Sequence, residues 1–217
     1  IIVAKIIIDQ GYAITNYHGL FGLYEVPWLL AQLSTIFVFL VIINAINFID
    51  GIDGLAITEV IKTVVLIELF SANETALTPL ASILIVSLIP LYYFNFKNEN
   101  KVFLGDGGSL LLGTIISIYT FYVLGDAFEF KSSLVINKVF FSILILLYPL
   151  IDLLRVFVIR IKNGNSPFEP DKNHLHHLFI KKNKNHLMIV IAILILELIF
   201  LTLITGLYIF IKSWFEI

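Results

Sequence analysis

The stretch WLLAQLSTIFVFLVIINAINFIDGIDGLA, residues 28–56, joins a long apolar run to a cluster of polar residues. Its first sixteen residues, from Trp28 to Ile43, carry no charge. A helix that spans a membrane needs about 20 mostly apolar residues. The polar residues that follow recur every three positions and are Asn44, Asn47, Asp50 and Asp53. The stretch therefore predicts a membrane span with amides and carboxylates at its end.

The composition of the whole chain supports a membrane protein. Of the 217 residues, 59% are hydrophobic and 14% are charged, whereas soluble domains are about half apolar and about a quarter charged. One core cannot bury so many apolar side chains and leave a wetted surface. The chain contains no cysteine, which excludes disulfides and cysteine-based metal sites within it. Because it does not begin with Met, we expect the C-terminal part of a longer protein.

The long apolar runs predict an all-α, polytopic bundle. In lipid, backbone polar groups must bond internally, so each run is expected to be a helix. The predicted spans lie near residues 28–46, 54–70, 79–96, 108–125, 134–154 and 187–211. Residues 1–15 are a candidate for the tail of a further span, and residues 18–27 are predicted to form a short hairpin or ordered loop. The prediction is thus six to seven spans.

The positive charges predict how the spans are oriented. Residues 155–184 hold seven of the fourteen Lys and Arg residues, and the positive-inside rule places such a segment in the cytoplasm. Counting spans backwards then also places residues 97–107 and 47–53 on the cytoplasmic side, and His18 on the other. The three polar clusters of the chain, at 44–53, 105–109 and 171–177, are therefore expected to lie on one side of the membrane.

The residues of the first cluster are suited to a hard cation. Gly51 and Gly54 allow the backbone to bend there and to approach a ligand closely. Mg²⁺ takes oxygen ligands, usually one or two carboxylates shared with substrate phosphates. Acids near a membrane are expensive and are usually functional. The alternative is a helix end with ordinary polar capping.

The second cluster lies in KVFLGDGGSLLLG, residues 101–113, where Asp106 is the only acid in a glycine-rich turn. Backbone N–H groups at a helix start attract anions, and a carboxylate there can hold a cation that bridges to phosphate. The alternative is that Asp106 or Ser109 caps the following helix.

The third cluster, NSPFEPDKNHLHHLF at residues 165–179, contains His174, His176 and His177. Such histidines can donate hydrogen bonds to phosphate, bind a metal or move protons. Because the acids of the other clusters favour Mg²⁺ over the transition metals that histidine prefers, phosphate contact or a structural role is the better interpretation. A solvated basic loop is the alternative.

Taken together and in this order, NAINFIDGIDGLA, VFLGDGGSLLLG and PFEPDKNHLHHLF resemble the polyprenyl-phosphate N-acetylhexosamine-1-phosphate transferases. The resemblance implies that residues 1–217 form one transmembrane catalytic domain in the bacterial inner membrane, with its active site facing the cytoplasm. The implied reaction transfers a sugar 1-phosphate from a UDP-sugar to undecaprenyl phosphate for envelope polysaccharides such as O-antigen. Mg²⁺ (or Mn²⁺) is the implied cofactor. Membrane lipids are expected around the protein, a homodimer is possible, and no nucleic-acid partner is expected.

The resemblance also implies roles for individual residues. Asp106 and Asp50 match the positions that hold the metal, and Asp53 matches a position on the nucleotide side. Asn47 is expected to contact the nucleotide or to orient Asp50. The remaining candidates contact phosphate or sugar and are His174, His176, His177, Arg155 and Lys172.

The form PDKNHLHH is similar to the branch that transfers GlcNAc-1-phosphate, which favours UDP-GlcNAc as the donor. The phospho-MurNAc-pentapeptide transferases, a transporter and a non-catalytic homologue remain as alternatives. Family members carry an Asp-Asp pair that this sequence lacks, so we expect that pair upstream of Ile1. Asp152 and Arg155 are predicted to pair, and Glu197, in the middle of a span, is predicted to be packed, protonated or paired rather than catalytic.

Overall fold

A computed structural model of the chain describes residues 1–20, 22–97, 99–131, 136–164, 166 and 185–215. These residues form eight helices and two short strands. In chain order they are α1 Ile2–Asp9, β1 Asn16–Leu20, β2 Leu23–Glu25, α2 Trp28–Ile49, α3 Leu55–Phe70, α4 Thr78–Asn95, α5 Gly105–Leu124, α6 Lys138–Ile145, α7 Leu147–Lys162 and α8 His186–Phe215.

Helix α2 is central in the bundle, where it packs most extensively against α5 and next against α7. Helix α3 packs against α5 and also contacts α2, α4, α6 and α8. The main core is built from Ile, Leu and Val side chains of these helices. Large apolar side chains also cover the outside, among them Phe37, Val86 and Leu203, each about two-thirds exposed. An exterior of this kind is suited to lipid rather than to water.

The prediction of six to seven spans was wrong. Among the described residues, four helices are long and apolar enough to cross a membrane, and a fifth span results if α6 and α7 are one bent crossing. Helix α1 has only 8 residues. Helix α3 has 16 residues, which is about 24 Å against a hydrocarbon thickness of about 30 Å. It also carries three charged side chains, Glu59, Lys62 and Glu68.

The predicted span 134–154 is interrupted. Helix α6 ends at Ile145, α7 begins at Leu147, and the two axes differ in direction by 75°. Pro149 lies in the first turn of α7, where a missing N–H is tolerated. The bend leaves backbone groups of both helices without partners inside their own helix.

The predicted hairpin is confirmed at one end of the bundle. Strands β1 and β2 pair antiparallel, with Asn16 opposite Glu25 and Leu20 opposite Leu23. A hydrogen bond of 2.8 Å joins His18 Nε2 to the carbonyl oxygen of Leu124, the last residue of α5. Because α5 is about 30 Å long, His18 lies far from the residues at the start of that helix, as predicted.

Candidate functional site

The close packing of α2 against α5 brings the first two motifs together. These helices run in opposite directions, since Ile43 packs at Gly113 and Asn47, one turn further along α2, bonds to Ser109, one turn earlier in α5. A Cβ atom added at Gly113 would lie 2.8 Å from the Cα atom of Ile43. Glycine is therefore required here for the two backbones to approach this closely.

Asn47 connects the two motifs directly. Its Nδ2 donates to Ser109 Oγ at 2.8 Å and lies 3.4 Å from Asp106 Oδ1. Asp106 is exposed in the first turn of α5, and neither it nor Ser109 caps the helix through its side chain. Ser109 instead donates to the carbonyl oxygen of Asp106. The simple capping interpretation of Asp106 is therefore wrong, and its carboxylate faces solvent beside Asn47.

Asp50 lies directly after α2, at the same end of the pair. Burial, followed by the negative charge of Asp106, raises the pKa of Asp50 from its ordinary 3.8 to about 6. A backbone hydrogen bond from Gly105 acts in the opposite direction, and the charge of Asp53 adds a smaller increase. A carboxylate at a helix C-terminus also opposes the helix dipole. The position is thus electrostatically unfavourable for an anion unless a cation lies nearby.

Asp53 is held by two cationic or potentially cationic side chains. Its Oδ2 atom lies 2.5 Å from Lys101 Nζ and 2.7 Å from His186 Nδ1. Lys101 comes from the loop before α5, and His186 is the first residue of α8. Lys101 Nζ also lies 4.9 Å from the ring centre of Phe103, which is 70% exposed. The second acid of the DGIDG motif therefore lies in a partly exposed, mixed-charge environment.

The loop between α2 and α3 is held by Asn95, the last residue of α4. Its Oδ1 accepts a hydrogen bond of 2.5 Å from the backbone N–H of Gly54, and its Nδ2 donates to the carbonyl oxygen of Val102 at 2.8 Å. Gly54 has a φ of +74° and lies against the ring of Phe96. Asn95 is buried, so one amide joins the loops that carry Asp53 and Lys101.

We expect Gly54→Ala to destabilise the protein more than a glycine change at a comparable φ with open space around it. Gly11, with a φ of +91° and no atom within 4 Å of an added Cβ, is the matched control. Alanine in the left-handed region costs about 1–2 kcal/mol at either position. At Gly54 the new methyl group also overlaps the Phe96 ring. Thermal unfolding in detergent should show a larger decrease in Tm for Gly54→Ala, and equal decreases would contradict this account.

Helix α7 reaches the same end of the bundle. The guanidinium of the buried Arg160 lies 5.5 Å from the ring centre of Phe48, which neighbours Asn47 on α2. Arg155 lies one turn and a half earlier on α7 and is half-buried. Its pairing with Asp152 stays a prediction, as does its role with phosphate.

The predicted residues Lys172, His174, His176 and His177 lie outside the described residues. The helices on either side of that segment are informative. Arg160, near the end of α7, lies at Phe48, and His186, at the start of α8, lies at Asp53. The end of α7 and the start of α8 therefore both lie at the end of the bundle that carries Asp50, Asp53 and Asp106. The proposed phosphate contacts of the histidines stay a prediction.

The acids offer part of a metal site. Within the described ranges, no three Asp, Glu or His side chains are grouped closely enough to hold a metal ion by themselves. Mg²⁺ sites, however, commonly use one or two carboxylates together with water and substrate phosphate. Asp50 and Asp106 have the oxygen chemistry that such a site requires, and the negative charge of Asp106 disfavours the ionised form of Asp50. The residues present therefore fit a cation that is shared with a phosphate ligand.

Four residues that shape this site were not predicted from the sequence. Lys101 and Arg160 lie in segments 97–107 and 155–184, which the sequence assigned only to one side of the membrane. Asn95 and His186 had no role. Lys101 lies in the same motif as Asp106, which could have suggested it. Nothing in a single sequence indicates that His186 meets Asp53, 133 positions earlier.

More than half of the chain matches a known protein family. Residues 1–124 match the sequence profile of a family described as glycosyl transferase family 4. The matched range is more than half of the chain, contains the Asp50, Asp53 and Asp106 motifs, and ends with α5. The histidine motif lies beyond it.

Several curated proteins are similar to parts of the chain. An undecaprenyl-phosphate alpha-N-acetylglucosaminyl 1-phosphate transferase of Pasteurella multocida is 34% identical over 118 residues, which cover 52% of this chain and 31% of that protein. The protein of the same name in Haemophilus influenzae is 38% identical over 103 residues, 45% of this chain and 27% of that protein. A decaprenyl-phosphate N-acetylglucosaminephosphotransferase of Mycobacterium leprae is 32% identical over 98 residues, 43% of this chain and 25% of that protein. The matches thus span about a quarter to a third of these relatives.

Proposed function

The chain belongs to glycosyl transferase family 4, and on this premise we propose that it is part of an enzyme that transfers GlcNAc-1-phosphate from UDP-GlcNAc to undecaprenyl phosphate. The observation that carries the proposal is the convergence of Asn47, Asp50 and Asp106 from two separate motifs at one end of the α2–α5 pair. The names of the similar proteins support GlcNAc as the sugar and a polyprenyl phosphate as the acceptor.

In the proposed reaction an oxygen of the polyprenyl phosphate attacks the β-phosphorus of the UDP-sugar. A new P–O bond forms, the bond between this phosphorus and the oxygen of UMP breaks, and UMP leaves with the electron pair. The lipid-linked diphosphate sugar remains in the membrane. Both reactants are anionic, so the site must lower their repulsion and stabilise the charge that develops on the phosphoryl oxygens.

Asp106 and Asp50 are the residues that would hold Mg²⁺ or Mn²⁺ in this site. When bound, the ion supplies charge stabilisation to the transferred phosphoryl group. Asn47 orients Asp106 through its Nδ2 group, which also donates a hydrogen bond to Ser109 Oγ. A cation held by these residues would offset the repulsion between the carboxylates of Asp50 and Asp106.

Asp53 is proposed to contact the nucleotide side of the donor. Its carboxylate already interacts with Lys101 and His186, and both of these can donate hydrogen bonds to phosphate. His174, His176, His177, Lys172 and Arg155 are proposed as further contacts to phosphate or sugar. All of these assignments require the donor to approach from the aqueous side.

We propose that the acidic end of the bundle faces the cytoplasm of a bacterial inner membrane. Lys101 lies at this end beside Asp53, and Arg160 and Lys162 lie at the end of α7. Such positive charges are typical of cytoplasmic loops. In that orientation a soluble UDP-sugar reaches Asp50, Asp53 and Asp106 from the cytosol while the lipid acceptor stays in the inner leaflet.

The full-length protein in proteoliposomes tests the proposed activity. With Mg²⁺, undecaprenyl phosphate and radiolabelled UDP-GlcNAc, we expect release of UMP and a labelled, EDTA-sensitive lipid product. UDP-MurNAc-pentapeptide serves as the competing donor. Turnover of that donor alone would overturn the proposed sugar, and no turnover of either donor by the full-length protein would contradict the proposed activity.

A further inference from the structure

Three charged side chains form a buried cluster far from the proposed site. Lys62 Nζ lies 2.5 Å from Glu59 Oε2 and 2.7 Å from Glu197 Oε2. The exposed fractions of these side chains are 5%, 0% and 9%. Glu59 and Lys62 belong to α3, whereas Glu197 lies on α8, roughly 16 Å along the axis from His186. This position is well inside the spanning region.

Charges at such a depth are costly and need a reason. Removing carboxylates and ammonium groups from water costs several kcal/mol each in real proteins, and their mutual attraction often only offsets that cost. Ionisable residues inside spanning helices are accordingly rare and usually have a function. The prediction that Glu197 is paired is confirmed, but pairing alone does not explain why three charges are present.

The second carboxylate oxygen of Glu197 contacts the start of α7. Glu197 Oε1 accepts a hydrogen bond of 3.0 Å from the backbone N–H of Tyr148, the second residue of α7. The first N–H groups of a helix have no partner within it, and in a membrane such groups must be satisfied by protein. A carboxylate at a helix N-terminus also interacts favourably with the helix dipole. Glu197 therefore stabilises the start of α7 at the 75° bend.

The other side of the bend is contacted by α3. Thr63 Oγ1 lies 3.4 Å from the carbonyl oxygen of Ile145, the last residue of α6. Thr63 follows Lys62, so neighbouring residues of α3 contact Glu197 and the end of α6. The charged cluster thus joins α3 and α8 to the two backbone ends that the interruption of the span exposes.

We propose that Glu59, Lys62 and Glu197 form a clamp that holds the bend between α6 and α7 and thereby positions α7 at the candidate site. Glu59 neutralises Lys62 from within α3, Lys62 fixes the carboxylate of Glu197, and Glu197 binds the first turn of α7. At its other end α7 places Arg160 against Phe48, next to Asn47. The three residues are positioning residues, and their effect on catalysis rests on the proposed function.

Spin labels on either side of the bend measure the proposed effect without any assay of activity. Ile143 on α6 and Ile161 on α7 are exposed, so Cys is introduced at these two positions of the full-length protein. The 217 residues themselves contain no other cysteine. In Glu197→Leu we expect a longer or broader distance distribution between the labels. In Glu197→Gln, which keeps an oxygen for the Tyr148 N–H, we expect a distribution close to that of the parent.

The matched control is Glu68→Gln. Glu68 is also a carboxylate on α3, but it accepts hydrogen bonds from the hydroxyl groups of Thr75 and Thr78, away from the bend. We expect this variant to keep both the distance distribution and the activity. A change at Glu68 as large as the change at Glu197 would show a general response of α3 to charge loss and would overturn the clamp.

A triple variant, Glu59→Leu with Lys62→Met and Glu197→Leu, keeps the test decisive if single variants fold poorly. Replacing a whole buried ionic group with apolar residues is often tolerated, because no charge is left unpaired. We expect this protein to fold, to lose the parent distance distribution and to show kcat reduced on the order of tenfold, with a smaller change in KM. An unchanged bend in the folded triple variant would overturn the proposal.

Two further outcomes separate this inference from other interpretations. If the parent protein has no transferase activity, the distance measurements still decide whether the clamp exists. Failure of the proposed function can therefore be distinguished from failure of the clamp. Lys62 also lines an apolar groove of about 410 Å³ between α3, α4 and α8. If Lys62 served only a ligand in that groove, Lys62→Met would alter activity and leave the bend unchanged, which would contradict the clamp.

Discussion

Asp106→Asn is expected to reduce transfer of sugar phosphate at least about a hundredfold in kcat. The substitution keeps the size of the side chain and its place beside Asn47, but it removes the charge that would hold the divalent ion. Asp106 is exposed, so the fold should tolerate the change. Single-turnover assays with labelled UDP-GlcNAc measure the effect directly.

Asp126→Asn is the matched control for this prediction. Asp126 is also an exposed aspartate, but it lies just beyond the other end of α5. We expect it to keep full activity with an unchanged Tm. Activity of Asp106→Asn within a few-fold of the parent would remove the metal role assigned to Asp106. A shift of the Mg²⁺ concentration needed for half-maximal rate in Asp50→Asn would support a shared site.

Most of the helices could be predicted from the sequence, because uncharged runs near 20 residues have few alternatives in lipid. Helices α2, α4, α5 and α8 lie where the apolar runs indicated. Asp53 contacts Lys101, so residues 47–53 and 97–107 lie at the same end of the bundle, as predicted. The count of spans behind that prediction was wrong, since it took residues 54–70 as a span, where α3 has only 16 residues.

The interruption between α6 and α7 could not be predicted from hydropathy. Residues 139–151 carry no charge, so a straight span and a bent one have the same composition there. The bend depends on Glu197 and Thr63, which lie 49 and 82 positions from the backbone groups that they contact. The charges of α3 were visible in the sequence, but their partner on another helix was not.

The candidate site, too, was only partly predictable from the sequence. The motifs indicated Asp50, Asp53 and Asp106 because acids near a membrane are rare and expensive. The residues that hold them, Asn95 and His186, are ordinary polar residues at helix ends, and their importance comes from contacts made across the fold. Local sequence patterns therefore indicate the chemically active residues better than they indicate the residues that hold them in place.

Gly113→Val is expected to reduce activity about a hundredfold while the acids themselves stay unchanged. The new side chain would overlap the backbone of Ile43, since even a Cβ atom lies 2.8 Å from its Cα. Helix α2 must then move away from α5, which separates Asn47 from Ser109, one turn from Gly113, and from Asp106. A displacement of about 1 Å at reacting groups can reduce a rate about a hundredfold.

Gly206→Val separates this effect from the general cost of valine in a spanning helix. Gly206 is an exposed helical glycine of α8, and a Cβ added there meets no atom within 4 Å. We expect Gly206→Val to keep its activity, and Gly113→Val to bind Mn²⁺ more weakly as well as to turn over slowly. Because the Asn47–Ser109 hydrogen bond depends on the same approach of the helices, Asn47→Ala in the Gly113→Val background should add little further loss. Additive losses would show that the two helices do not position the site together.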